Sequence, residues 1–336
     1  MTVTAGYDVG GAHLKVAHVE AGRVTAVRQI ACPLWQGLDR LEAALDEARD
    51  VTAGAHTHAV TMTGELCELF PTRREGVEQL SALLARRLGA STRFFLGLKG
   101  FGDTVAAASD PEAVASANFL ATAMLVAKFK PRALLIDMGS TTTDIVVCER
   151  PQGLTDAERL QTGELVYTGL TRTPVPSVTA RGVLLGQWQG LARDCFATMA
   201  DVRRVLGTLD DDVDLHATSD GRGKSQAESL ARLARGFGRD GEMRHLAGWQ
   251  AAAAAIREAQ IASIVDGARQ VLSRPGTAIG SVVTAGIGAS EGDEVARRLG
   301  FPSIPFGNLI GADGELTRAA THAAPAVAVA MLVSQA

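Results

Sequence analysis

Asp8-Val9-Gly10-Gly11-Ala12-His13-Leu14-Lys15-Val16 and Asp137-Met138-Gly139-Ser140-Thr141-Thr142-Thr143-Asp144-Ile145 can be laid on one another. Each follows an apolar run and reads Asp-apolar-Gly-small. Each returns to a β pattern at the position of Lys15 or Asp144. The two stand about one domain length apart. The pattern predicts two β-hairpins whose turns can wrap an anion. Gly10, Gly11 and Gly139 let the backbone approach a phosphate closely, and successive N–H groups in such turns form a nest for negative charge. Ser140, Thr141, Thr142 and Thr143 add hydroxyl donors, and Lys15 adds a point charge suited to phosphate. Asp8 and Asp137, at the strand ends, are placed to hold a hydrated Mg²⁺, directly or through water. A third strand end, Val282–Ala289, carries Gly286 and Gly288 before a helix, a turn able to pack against a nucleobase or another flat ring. The plain alternatives are Gly-containing hairpins, turn-capping aspartates and a close-packed βα turn.

Around the hairpins, strand and helix signals alternate, which argues an α/β fold. Strands are expected at Val3–Asp8, Leu14–Glu20, Arg23–Ile30, His58–Met62, Thr92–Leu96, Ala133–Asp137, Asp144–Glu149 and Ser281–Ala285. Helices are expected at Leu38–Arg49, Gly76–Leu88, Pro111–Lys128, Ala192–Leu206, Ser225–Gly236, Met243–Leu272, Glu291–Leu299 and Ala326–Ser334. The stretch from Pro151 to Trp188, with Pro174, Pro176 and several glycines, reads as irregular.

Composition narrows the class. The chain has 336 residues, 46% hydrophobic and 21% charged, enough for roughly two domains with sizeable cores. A formal net charge of −4 gives no basic excess for nucleic acid and no polybasic cluster for a lipid surface. The N-terminus lacks a basic start followed by an apolar run. The apolar stretch Ala323–Ala336 is interrupted by Pro325 and is too short for a bilayer. Cys32, Cys67, Cys148 and Cys195 form no C-x-x-C pair; Cys148 and Cys195 are expected in the core. A cytoplasmic protein without membrane or nucleic-acid partners is expected, with homo-oligomer formation left open.

The two hairpins and the Gly-x-Gly strand end resemble the two phosphate loops and the adenosine loop of the sugar kinase, Hsp70 and actin superfamily. The block Asp137–Ile145 resembles the hydantoinase/oxoprolinase branch. Further blocks are similar to the small family of tetrahydromethanopterin-linked C1 transfer pathway proteins, whose archaeal members make methanofuran. These are Thr61–Leu66, which includes Thr63 and Glu65, then Thr72–Val77, Ser116–Phe119 with Asn118, and Thr162–Gly169 with Tyr167. Thr171–Val175 with Arg172, Phe196–Val202 with Asp201, Ser219–Arg222 with Asp220, and Pro325–Ala328 complete the set. His13 departs from the family, where a small polar residue is usual, and Arg181–Gln189 is locally unlike it.

The resemblance implies a two-lobed actin-like (ribonuclease H-like) ATPase fold with a duplicated β-sheet core and a central cleft. Residues 1–130 plus 317–336 would form one lobe and 131–316 the other. It implies a transferase that joins an aminomethylfuran-methyl diphosphate to a tyramine-, γ-glutamyl-tyramine- or tyrosine-like phenol. The products are an aryl ether and diphosphate, and the Ala/Arg-rich sequence points to methylofuran and one-carbon metabolism in a bacterial methylotroph. Mg²⁺ is the expected cofactor. The rival readings are an ATP-dependent kinase or oxoprolinase-type enzyme, with ATP as cofactor, and a nucleotide-sensing regulator.

In the ether-forming reading, Lys15, Mg²⁺ on Asp8 and Asp137, and the Ser/Thr donors hold the leaving diphosphate. Asp144 or Glu65 would take the phenol proton, Asp144 having the better local case. Arg172 would clamp the diphosphate or an acceptor carboxylate. Thr63, Asn118, Tyr167 and Arg222 would line the substrate site, and Asp201 or Asp220 would meet the donor amine.

Overall fold

Both hairpins form. In the computed structural model, which describes residues 2–335, β1 (Val3–Val9) turns back into β2 (His13–Glu20), and β3 (Arg23–Ala31) follows. β4 (Thr57–Met62) lies parallel to β1, and β5 (Thr92–Phe95) and β6 (Phe101–Gly102) complete a sheet of order β3-β2-β1-β4-β5-β6. The second hairpin joins β7 (Ala133–Met138) to β8 (Thr143–Val147), with β9 (Leu165–Val166) beside it. A small hairpin of β10 (Arg181–Leu184) and β11 (Gln187–Gly190) stands apart. β12 (Ser281–Ala285) runs parallel to β7, and β13 (Ser303–Pro305) parallel to β12, giving the order β13-β12-β7-β8-β9.

A hairpin flanked by a parallel strand therefore occurs twice. The registers coincide: Asp8 faces Lys15 in the first hairpin, and Asp137 faces Asp144 in the second. The turns coincide too. Gly10 N–H donates to the His13 carbonyl at 2.9 Å, and Gly139 N–H to the Thr142 carbonyl at 2.9 Å. The repeat in the sequence is a repeat of backbone geometry.

Two helices, Asn118–Phe129 and Ala324–Val333, join the sheets. Their apolar side chains form one cluster with Ala17 and Ala59 of the first sheet and Leu135, Val146 and Val283 of the second. Helix Ala324–Val333 is apolar on every side, as a helix buried all round must be, and it packs on β1, β2 and β4. This packing supports the lobe division we propose, residues 1–130 plus 317–336 against 131–316. Among the described residues no single helix is long and apolar enough to cross a membrane. Helices Leu38–Glu47 and Arg73–Leu88 flank the outer face of the first sheet. Helices Leu246–Leu272 and Ala289–Leu299 do the same for the second.

Four expectations need correction. The helix expected over Pro111–Lys128 is two helices, Pro111–Val114 and Asn118–Phe129, broken where Ser116 takes a left-handed φ of 53°. The helix expected from Ala192 starts only at Met199, where Thr198 and Asp201 form a capping box. The stretch read as irregular contains the helix Asp156–Thr162, opened by a Thr155–Glu158 capping box. Cys148 is buried as expected, whereas Cys195 is exposed.

Candidate active site between the two hairpins

The two turns face each other across a cavity of about 340 Å³, whose wall includes Asp8, Lys15, Asp137 and Asp144. Lys15 Nζ lies 3.6 Å from Asp8 Oδ2, while Asp8 Oδ1 has no hydrogen-bond partner. Burial raises the Asp8 pKa against the pull of Lys15. Burial also pushes Asp137 up to about 7; Lys15 opposes this, and Asp144 and Asp8 add to it. An orphaned buried carboxylate oxygen beside a second, cation-poor carboxylate fits a hydrated Mg²⁺, which commonly takes one or two protein carboxylates and keeps several waters.

The second turn is braced from behind. Leu170 N–H donates to the Gly139 carbonyl at 2.9 Å and Arg172 N–H to that of Ser140 at 2.8 Å. Only glycine allows this approach, because a Cβ on Gly169 would lie 2.4 Å from Thr141 N. Gln260 Nε2 donates to the Gly169 carbonyl at 2.8 Å. The fully buried Arg203 donates to Gln260 Oε1 at 2.8 Å and to the Leu170 carbonyl at 3.1 Å. Ser140, Thr141 and Thr142 line the cavity with Gly10, Gly11 and Gly139. Thr143 does not: it is fully buried and its hydroxyl donates to the Thr168 carbonyl at 2.7 Å. It fastens the turn from behind and is no ligand donor.

Asp144 reaches the cavity wall but is not free. Arg159, itself 2% exposed, forms an ion pair with it and reaches Asp156 as well. The guanidinium carbon lies 3.5 Å from the Phe119 ring centroid. Glu65 stands behind the wall, 1% exposed. The Ser116 hydroxyl is 3.0 Å from Glu65 Oε1 and 3.2 Å from Asp156 Oδ2, and Arg73 pairs with Asp156. The helix break at Ser116 thus places one hydroxyl between carboxylates that come from the two sheets' sides of the cleft. Asp144 thus faces the cavity as an ion-paired carboxylate, and Glu65 lies behind the wall.

Burial pushes Glu65 up to about 7, with the Ser116 hydrogen bond and Arg73 opposing. In the unfolded chain it titrates near the ordinary Glu value. Between these values the folded protein holds a proton that the unfolded chain releases. Stability is therefore present at low pH and is lost as pH rises through 7. Glu65→Gln is expected to flatten this dependence, gaining about 3 kcal/mol over the wild type at pH 8 relative to pH 4. Urea unfolding at the two pH values checks it.

Thr63, Asn118, Tyr167 and Arg172 line the cavity. Asp201, Asp220 and Arg222 do not. Asp201 accepts from buried Arg232 at 2.9 Å, and Asp220 accepts from Arg232 at 3.1 Å and Arg235 at 3.2 Å. Arg222 closes the Asp220 turn through its backbone. This is a cap-and-charge network that holds the helices Met199–Leu206 and Gln226–Gly236 together, and its partners are already satisfied. Asp201→Asn is expected to lower stability by about 3 kcal/mol while leaving the kinetic constants within about twofold, as urea unfolding and steady-state assays would report.

Gly286 and Gly288 also stand off the cavity wall. Gly288 N–H donates to the Met138 carbonyl at 2.9 Å. A Cβ on Gly286 would meet that carbonyl oxygen at 2.3 Å, and one on Gly288 the Met138 side chain at 2.6 Å. Close packing against the end of β7 is what these glycines provide.

Several lining residues escaped the sequence reading: Trp35, Cys67, Glu68, Asp156 and Arg159. Asp156 and Arg159 had a usable signal in the Thr-x-x-Glu cap that opens their helix. Trp35 had none.

Duplicated sheets, each presenting an Asp-Gly hairpin to one cleft, define the actin-like class of α/β ATPase folds. In line with this, the chain belongs to the hydantoinase/oxoprolinase family, whose sequence model matches residues 56–332. A Methanocaldococcus jannaschii protein is 33% identical over 242 residues, 71% of this chain and 72% of its own length. It is named (4-{4-[2-(gamma-L-glutamylamino)ethyl]phenoxymethyl}furan-2-yl)methanamine synthase. A Methanococcus vannielii protein of the same name is 31% identical over 105 residues, 30% of this chain and 47% of its own length. Among solved structures, nucleotide-free acetone carboxylase superposes with a TM-score of 0.59 at 11% identity, covering 97% of this chain and 70% of that one.

Proposed function

We propose that this chain is an aryl-ether synthase of furan-cofactor biosynthesis. It joins an aminomethylfuran-methyl diphosphate to a tyramine-like phenol and releases diphosphate. The observation that carries the reading is the cavity itself. Its wall combines a lysine, three hydroxyl-bearing turn residues and two carboxylates, Asp8 paired with that lysine and Asp137 without a salt bridge among the described residues, a set suited to a Mg²⁺-diphosphate. The relatives' name describes a product with a phenoxymethyl link to a furan, and ether formation at a furan methylene is the step that makes such a link.

In this reading Lys15, Ser140, Thr141 and Thr142 hold the diphosphate oxygens, and Asp8 and Asp137 hold Mg²⁺. Mg²⁺, when bound, neutralises charge on the departing diphosphate. The furan methylene–oxygen bond breaks with its electron pair leaving on the diphosphate, and the phenol oxygen forms the new bond to that carbon as a general base at the site takes its proton. Electrostatic donors act most strongly where charge develops, which is here the bridging oxygen. Arg159 and Asp144 position the second hairpin, and Glu65 and Ser116 position Asp156.

The test is an incubation of purified protein with the diphosphate donor, tyramine and Mg²⁺, without ATP. Stoichiometric ether and diphosphate are expected. A requirement for ATP with release of ADP would overturn the reading in favour of a kinase or oxoprolinase-type enzyme.

A further inference from the structure

The two turns share one backbone geometry and carry different side chains. The second presents Ser140, Thr141 and Thr142. In the first, His13 stands where the second has Thr142, each accepting the glycine N–H bond through its carbonyl. Rings gather around this turn. The His13 ring meets the His216 ring edge-on, with centroids 4.6 Å apart, and His216 lies 5.4 Å from Trp35. Trp35 is tied to the turn through its own short helix, since Leu34 N–H donates to the Gly11 carbonyl at 3.0 Å. It keeps 38% of its surface exposed and lines the cavity.

Two ring nitrogens here, His13 Nε2 and His216 Nε2, lack hydrogen-bond partners among the described residues, and the Arg172 guanidinium reaches only the Thr141 hydroxyl, at 3.5 Å. His13 is 7% exposed, lines the cavity, and its Nε2 has no hydrogen bond. Burial, with His216, Lys15 and Arg172 adding, holds its pKa well below the ordinary value, so the ring is neutral and offers a lone pair. Arg172 lines the cavity and lies 5.0 Å from the Trp35 ring centroid. Lys15 and Arg159 are each paired with a carboxylate, whereas Arg172 forms no salt bridge among the described residues. An aromatic platform, a neutral nitrogen acceptor and a guanidinium that forms no salt bridge suit a phenol that carries a polar tail.

We infer that the first turn is the acceptor subsite: the phenol ring lies against Trp35 and its hydroxyl donates to His13 Nε2. The inference rests on the ether-forming reading for the identity of the ring. It gives the two equivalent turns different tasks, leaving group at the second and nucleophile at the first. As the ether forms, the phenol O–H bond breaks and its proton passes to His13 Nε2. The oxygen supplies the electron pair of the new bond to the furan methylene, and the diphosphate leaves with the pair of the old one. His13 Nε2 is buried, so a ring beside it must move before the hydroxyl can reach it.

Tyramine titration of the donor-free protein, followed by tryptophan emission, reads the platform directly, because Trp188 and Trp249 remain as constant background. Quenching is expected in the wild type and is lost in Trp35→Leu. In steady state Trp35→Leu raises the tyramine KM about tenfold and leaves the donor KM within about twofold, with Trp35→Phe restoring most of the loss. His13→Phe weakens tyramine binding about fivefold through the lost hydrogen bond, lowers kcat about a hundredfold, and makes the rate depend more steeply on phenol acidity across ring-fluorinated tyramines. An unchanged tyramine KM in a folded Trp35→Leu protein, or an unchanged acidity dependence in His13→Phe, overturns the assignment. Quenching through Trp35 in a protein that forms no ether would retain the ring subsite and remove the ether-forming reading, so the two failures are distinct.

Discussion

Lys15→Ala is expected to lower kcat/KM for ether formation by about a thousandfold, the scale of removing a preorganised charge from a developing anion. The strand register forces the dependence. Lys15 sits opposite Asp8 on β2 and is the cation that approaches it, at 3.6 Å. Without it Asp8 becomes a buried carboxylate with no counter-charge, and burial already favours its neutral form. A protonated Asp8 would neither hold Mg²⁺ nor orient the diphosphate. The variant is therefore expected to lose affinity for Mg²⁺-diphosphate in calorimetry as well as turnover. Circular dichroism should be unchanged, because the β1–β2 ladder is made by backbone groups. Turnover within threefold of wild type would remove the first hairpin from the chemistry.

Arg159→Met carries the second large effect, on stability. Its side chain is 2% exposed and answers both Asp144 and Asp156. Removing one partner of a buried pair leaves the other uncompensated, at a cost of about 3–5 kcal/mol. Urea unfolding should show this loss, and Asp144→Leu added to Arg159→Met should recover much of it by removing the stranded charge. If the single variant unfolds with the wild-type midpoint, the pair contributes nothing and Asp144 returns as a candidate base. The pair also explains why Asp144 looks like a catalytic carboxylate in sequence and is not free in the fold. Position 144 repeats position 15, where the first hairpin carries a cation. The second carries an acid and draws its cation from a helix fifteen residues on.

The duplicated hairpin was legible because its signals are local: an apolar run, an Asp, a glycine turn and a return to β pattern within one segment. The cavity wall at Asp8, Lys15, Asp137 and the Ser140–Thr142 turn followed directly. What escaped depends on contacts distant in sequence. Trp35 reaches the site only because its short helix is tied to Gly11, and nothing near residue 35 announces that. Ser116 breaks a segment that reads as one continuous helix, and the reason lies in Glu65 and Asp156. Asp201 and Asp220 sit in blocks that resemble a known family, yet their partners are Arg232 and Arg235. Similarity of sequence does not separate packing from binding.

The helix Ala324–Val333 has a consequence for how the molecule comes into being. It packs on β1, β2 and β4, and its small apolar residues are fully buried there. Every strand of the second sheet precedes it in the chain. During synthesis the second sheet is therefore complete while the first still has an uncovered apolar face, and domains that emerge in order generally fold in order. Here the lobe translated first is finished last. Until its closing helix leaves the ribosome, the first sheet is a surface for chaperones.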